Sequence, residues 1–139
     1  MEITVRDLAG LPAAARELLP LLEGRGVVAL YGGMGAGKTT LVAALLREMG
    51  SEDEVTSPTF ALVNDYLAGN GRPVYHFDFY RIDDLREAFD LGYEEYFYGD
   101  GMCLVEWPEK IEPLLPPDTL RLRIDVLPDG SRSIRSVGE

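Results

Sequence analysis

The stretch Gly32-Gly33-Met34-Gly35-Ala36-Gly37-Lys38-Thr39 fits the phosphate-binding pattern G-x-x-x-x-G-K-[ST] without a mismatch. Such a loop works only between a strand and a helix, so it constrains the fold around it. The flanks supply both: Val27-Val28-Ala29-Leu30-Tyr31 is an apolar run of strand length, and Thr40 to Met49 has helical patterning. Glycines at 32, 35 and 37 are expected to turn the backbone through φ > 0 and bring N–H groups against phosphate oxygens, where a Cβ would clash. A helix starting near Lys38 adds unsatisfied amides and a dipole that favour an anion. Lys38 then reaches the β and γ phosphates and the Thr39 hydroxyl ligates Mg²⁺. The expected nucleoside triphosphate site takes in Gly33, Met34, Gly35, Ala36, Gly37, Lys38, Thr39 and Thr40.

At 139 residues the chain is sized for one domain, 1–139, that buries about two-thirds of its unfolded surface. No run of eighteen apolar residues exists, and Met1 to Asp7 lacks a basic segment followed by an apolar one, so a soluble, cytoplasmic protein without membrane contact is expected. Twenty-four acidic against thirteen basic side chains give a net charge of −11, which opposes direct binding to a nucleic-acid backbone. Acidity concentrates at Asp83, Asp84, Glu87, Asp90, Glu94, Glu95 and Asp100, with Arg86 the one base among them; it reads as an interaction face or as solvated surface. The single cysteine, Cys103, sits in an apolar run, which excludes internal disulfides and cysteine clusters. It reads as core, and a nucleophile role lacks an activating base because the one histidine, His76, belongs to another strand.

Along the chain, Glu2 to Val5 predicts a strand and Pro12 to Leu19 a helix with proline in its first turn, ended by Gly24 to Gly26. Gly50 stops the helix that follows the loop. Residues 59 to 78 read as a β-hairpin turning at Gly69-Asn70-Gly71. Asp83 and Asp84 start a helix that ends at Leu91-Gly92. Met102 to Val105 is a buried strand, and Pro116-Pro117 breaks the short helix after it. Leu120 to Val126 alternates as a strand buried on one face, and Pro128-Asp129-Gly130 turns it into a return strand.

Hydrolysis or transfer needs an acidic residue at the end of a hydrophobic strand. Asp78 ends Val74 to Phe77 and Glu106 ends Met102 to Val105, so parallel strands beside the loop place both at one carboxyl edge of the sheet. An aspartate there suits the metal and a glutamate suits an attacking water. Either can hold Mg²⁺ alongside Thr39. Thr56, Ser57 and Thr59 offer hydroxyls where a nucleotide-sensing loop would lie, or simply cap a turn. Trp107 reads as a stacking residue or as core, and Arg81 as a phosphate contact or a surface ion pair.

The motifs Gly35 to Thr40, Val55-Thr56-Ser57-Pro58-Thr59-Phe60, Tyr75-His76-Phe77-Asp78-Phe79-Tyr80-Arg81 and Val105-Glu106-Trp107-Pro108, in that order, resemble the TsaE family of small bacterial ATPases in tRNA threonylcarbamoyladenosine synthesis. Gly33-Met34 departs from the acidic residue and leucine often seen there. The resemblance covers nearly the whole chain and implies a P-loop NTPase-like three-layer α/β fold with a mixed, partly antiparallel sheet. It further implies Mg²⁺-dependent ATP hydrolysis that supports turnover of TsaB and TsaD, with tRNA met only through that complex. By motif matching, Lys38, Asp78 and Glu106 are catalytic, Asp78 acts at the metal, Thr56, Ser57 and Thr59 form a switch-like segment, and Trp107 lies by the nucleotide. Competing readings are a small-molecule kinase and a nucleotide-gated assembly factor with negligible hydrolysis. A kinase usually needs an arginine-rich lid, and residues 51 to 73 hold Arg72 alone.

Overall fold

A computed structural model describes residues 1–56 and 62–138. Among these residues seven strands form one sheet: β1 (Glu2–Val5), β2 (Val27–Tyr31), β3 (Val63–Leu67), β4 (Pro73–Asp78), β5 (Met102–Glu106), β6 (Leu120–Val126) and β7 (Arg132–Val137). Their order is β1-β7-β6-β2-β5-β4-β3. The four central strands, β6, β2, β5 and β4, run parallel. Both margins are antiparallel, β3 on β4 at one side and β1 on β7 on β6 at the other. The sheet is therefore mixed, as expected.

Parallel strands must be covered on both faces, because their crossover connections lay helices there. Helices α1 (Leu11–Leu22) and α2 (Lys38–Glu48) cover one face, where Leu18, Leu22, Leu41 and Leu45 pack on Val28, Leu30, Leu104 and Leu122. Each fully buried leucine of this kind stabilises the fold by about 1.5–3 kcal/mol. Helices α3 (Arg86–Leu91) and α4 (Tyr93–Phe97), with a 3-10 stretch at Pro108–Leu114, cover the other face over Phe77, Phe79, Cys103 and Val105. That makes three layers. None of the described helices is long and apolar enough to cross a membrane.

Two local expectations are refined. Helix α1 continues to Leu22 through Pro20, because buried Leu18 and Leu22 hold its last turns on the sheet. Helix α4 has no counterpart in the sequence reading: Gly92, at φ 80°, ends α3 and starts α4 in the same left-handed step. Tyr93 and Phe97, four residues apart, turn inward while Glu94 and Glu95 stay out. Two of the seven acidic residues in this run, Glu94 and Glu95, thus form the outer face of an amphipathic turn.

Cys103 is fully buried on β5, and its Sγ donates to the Tyr96 carbonyl at 3.3 Å. Burial pushes its thiol up to about 12. Cys103 pairs with Tyr75 while His76 pairs with Leu104 one position on, so the imidazole and the thiol point to opposite faces. The native chain should leave Cys103 unmodified by an aromatic disulfide reagent at pH 8 and react with one equivalent once unfolded in guanidinium; rapid labelling of the folded chain would contradict this burial.

Candidate functional site

Strand β2 ends at Tyr31, and the chain folds through residues 32–37 into α2 at Lys38. Gly35 and Gly37 take φ of 80° and 104°, the left-handed turns expected of them. Gly32 does not. It is glycine for space, since a Cβ there would lie 2.8 Å from the Ile124 carbonyl of β6. The first turn of α2 holds no acidic side chain of its own, so the amides at its positive end stay available to an anion.

Lys38 is buried, its Nζ donating to the Gly32 carbonyl at 2.7 Å and standing 3.5 Å from the Trp107 ring centroid. Burial draws its pKa below that of an ordinary lysine, while the carboxylates of Glu106, Glu109 and Asp78 push it back up. Trp107 has left-handed backbone, φ 56° and ψ 48°, and its ring meets Tyr80 at 5.0 Å. The ammonium is thus held on the loop by a carbonyl and a π face.

Asp78 pairs with Glu106 in the parallel ladder of β4 and β5, so both carboxylates leave the sheet side by side beside the loop. Asp78 Oδ1 accepts the Tyr80 N–H at 3.0 Å, shaping the exit from β4. Glu106 is 3% exposed. Its Oε2 accepts the Thr39 hydroxyl at 2.8 Å and meets His76 Nε2 at 2.5 Å. The set suits Mg²⁺: Thr39 donates its hydroxyl hydrogen bond to Glu106, leaving its oxygen lone pairs for a cation, and hard oxygens are what that ion prefers. No group of three or more His, Cys, Asp or Glu among the described residues could hold a metal alone. Mg²⁺ characteristically takes one or two carboxylates and completes its shell with phosphate and water.

A cavity of about 560 Å³ opens over this edge. Met34, Gly35, Ala36, Gly37, Lys38, Thr39, Thr40, Asp78, Glu106 and Trp107 line it, which brings together most of the residues expected at the site. Gly33 does not line it, though its carbonyl accepts the Ala36 N–H at 3.1 Å. Thr56 also stays outside, its carbonyl accepting from Tyr66 Oη at 3.3 Å and Asn64 Nδ2 at 3.1 Å. Ser57 and Thr59 lie outside the described residues.

Sequence reasoning passed over His76 and Arg132. Arg132, at the start of β7, lines the cavity and donates from Nε to the Ala36 carbonyl at 3.1 Å. Its only sequence signal is a base following a turn. Arg81 also lines the cavity. A second cavity of about 280 Å³ shares Ala36, Gly37, Thr40 and Arg132 with the first and is walled by Val5, Leu11, Leu41 and Ile134.

The fold and the edge define a P-loop-type α/β protein with a mixed seven-stranded sheet. The sequence model of the family described as threonylcarbamoyl adenosine biosynthesis protein TsaE matches residues 5–134. The tRNA threonylcarbamoyladenosine biosynthesis protein TsaE of Treponema pallidum is 44% identical over 115 residues, covering 82% of this chain and 83% of that protein. TsaE of Haemophilus influenzae is 40% identical over 113 residues, 81% of this chain and 70% of that one. The crystal structure of Bacillus subtilis YdiB superposes with a TM-score of 0.74 at 31% identity, covering 98% of this chain and 83% of that chain. The chain belongs to the TsaE family, whose members take part in tRNA threonylcarbamoyladenosine biosynthesis.

The close approach of Gly32 to β6 predicts that Gly32→Ala lowers stability by about 1–3 kcal/mol, the usual cost of overpacking. Urea unfolding checks it, and an unchanged midpoint would show that β2 and β6 separate freely at this end.

Proposed function

We propose that the chain is a Mg²⁺-dependent ATPase whose hydrolysis supports turnover of a TsaB–TsaD complex in tRNA threonylcarbamoyladenosine formation. One observation carries the reading: Thr39 and Glu106, on α2 and β5, are hydrogen-bonded at 2.8 Å in the cavity that Lys38 and the glycine loop line. A hydroxyl at the start of a phosphate-loop helix, held by a carboxylate on the next strand, is the arrangement that grips a metal-bound polyphosphate.

In this reading Lys38 leaves the Gly32 carbonyl and places its ammonium on the β and γ phosphates. The loop amides and the α2 N-terminus bind the remaining phosphate charge. Thr39 and Asp78 hold Mg²⁺, and Glu106 orients the attacking water or completes the metal shell. Bound Mg²⁺ would supply charge neutralisation for the phosphate. Trp107 and Tyr80 wall the site from solvent. The nucleoside half is assigned to the adjoining second cavity, where Val5, Leu11 and Ile134 stand with Arg6 and Asp7; inorganic tripolyphosphate competing as tightly as ATP would remove that assignment. ATP is preferred over GTP through the family resemblance, since no guanine-reading N-K-x-D is present. Cytoplasmic placement and docking of TsaB and TsaD belong to the same reading. The acidic surface suits a protein neighbour better than RNA.

Phosphate release from Mg-ATP, measured for the chain alone and with purified TsaB and TsaD, tests this. Release should rise with the partners and fall by about 10²-fold or more in Lys38→Ala, which removes a charge from the transferring phosphoryl group. Glu106→Ala should lose turnover by about 10–100-fold. Tight ATP binding with no release in any mixture would overturn hydrolysis and leave a nucleotide-gated assembly factor. Survival of turnover in Glu106→Ala would remove that residue's role.

A further inference from the structure

His76 is fully buried on β4, yet it is neither core filler nor a cavity wall. Period-two alternation puts it on the same sheet face as Asp78, and the parallel register with β5 sets it one pleat behind Glu106. Its Nε2 lies 2.5 Å from Glu106 Oε2. A carboxylate oxygen only accepts, so the ring nitrogen facing it carries the proton. His76 Nδ1 is buried too and has no hydrogen-bond partner among the described residues. Burying a polar ring with one nitrogen unsatisfied is costly, and among the described residues its one polar side-chain contact is to the site carboxylate.

Glu106 Oε2 receives two donors, from Thr39 on α2 and from His76 on β4. With that oxygen filled, Oε1 is the one left for the cavity, and the carboxylate plane cannot rotate without breaking a buried bond. The pair reproduces the way a neighbour behind a metal ligand sets its orientation.

We propose that His76 is a positioning residue for the Mg-nucleotide site, acting through Glu106 and Thr39 without touching substrate. The inference rests on the nucleotide reading above. It predicts that His76 governs how much Mg²⁺ adds to nucleotide affinity rather than nucleotide affinity itself.

Two variants separate positioning from packing. His76→Gln keeps an N–H donor at the reach of Nε2, and His76→Leu fills similar volume without one. Titration calorimetry of ADP with the full chain, in Mg²⁺ and again in EDTA, gives the Mg²⁺-dependent gain for each. His76→Leu should lose about 10–100-fold of that gain, the usual effect of removing a partner behind a ligand. Its affinity in EDTA should stay within about twofold of wild type, and His76→Gln should restore most of the gain. Equal losses in both variants, or none in either, would overturn the proposal. Nitrogen-15 spectra of the nucleotide-free chain read the pair directly: the proton should sit on Nε2 and its resonance move in Glu106→Gln. A proton on Nδ1 instead would overturn the proposal whatever the variants do. Wild-type chain that binds no Mg-nucleotide would fail the nucleotide reading, while wild type that binds with variants unaffected would fail this one.

Discussion

A carboxylate 3% exposed holds the edge of this sheet together. Taken out of water alone, such a charge costs several kcal/mol, so it persists only with donors around it. Those donors arrive from different elements: Thr39 from α2 and His76 from β4, while Glu106 itself closes β5. Removing any of the three elements from register would strand the charge. The loop, the helix and two strands are therefore fixed relative to one another by polar geometry, where apolar packing alone would tolerate small slips.

The residue after Glu106 shows the cost of that placement. Trp107 stands in the left-handed region, a strain of about 1–2 kcal/mol for a non-glycine residue. Pro108 follows, and a residue before proline is discouraged from right-handed helical backbone. The left-handed turn instead folds the chain back under the sheet edge, into the 3-10 stretch at Pro108–Leu114, and leaves the indole facing Lys38. An ammonium over a tryptophan face offsets about 0.5–2 kcal/mol, comparable to the strain. The backbone distortion and the parked lysine stabilise one another.

The loop, the hairpin, the alternating β6 and the pairing of Asp78 with Glu106 at one edge were legible because each rests on local pattern. An apolar run ending in an acid reads as a parallel strand delivering a carboxylate, and two of them beside a phosphate loop have few other arrangements. Strand order was not legible. That β1 joins β7 at one margin depends on pairings such as Ile3 with Ile134, more than a hundred residues apart, for which neither segment carries a local mark. Arg132 was hidden for the same reason, being brought to the loop by β6 and β7 rather than by its neighbours. His76 was within reach: it lies two residues before Asp78 in a strand, hence on the same face, and a histidine on that face points to the carboxylates. In the sequence it was weighed only as a base for Cys103, from which the strand pairing turns it away.

Charge bears on why the proposed nucleotide reading calls for a metal at this edge. With a net charge of −11 the chain repels an anionic nucleotide at long range, so its field offers no steering. Screening confines that repulsion to about 8 Å at physiological salt. Within that distance the loop amides, the open end of α2, Lys38, Arg81 and Arg132 face the cavity, but so do Asp78 and Glu106. A polyphosphate drawn in by the first group meets the second as like charges in a partly buried site. In that reading Thr39, whose hydroxyl Glu106 already orients, and Asp78 would hold a divalent cation that offsets this repulsion. On the proposed reading, then, metal dependence follows from the same buried carboxylate that fixes the fold at this edge.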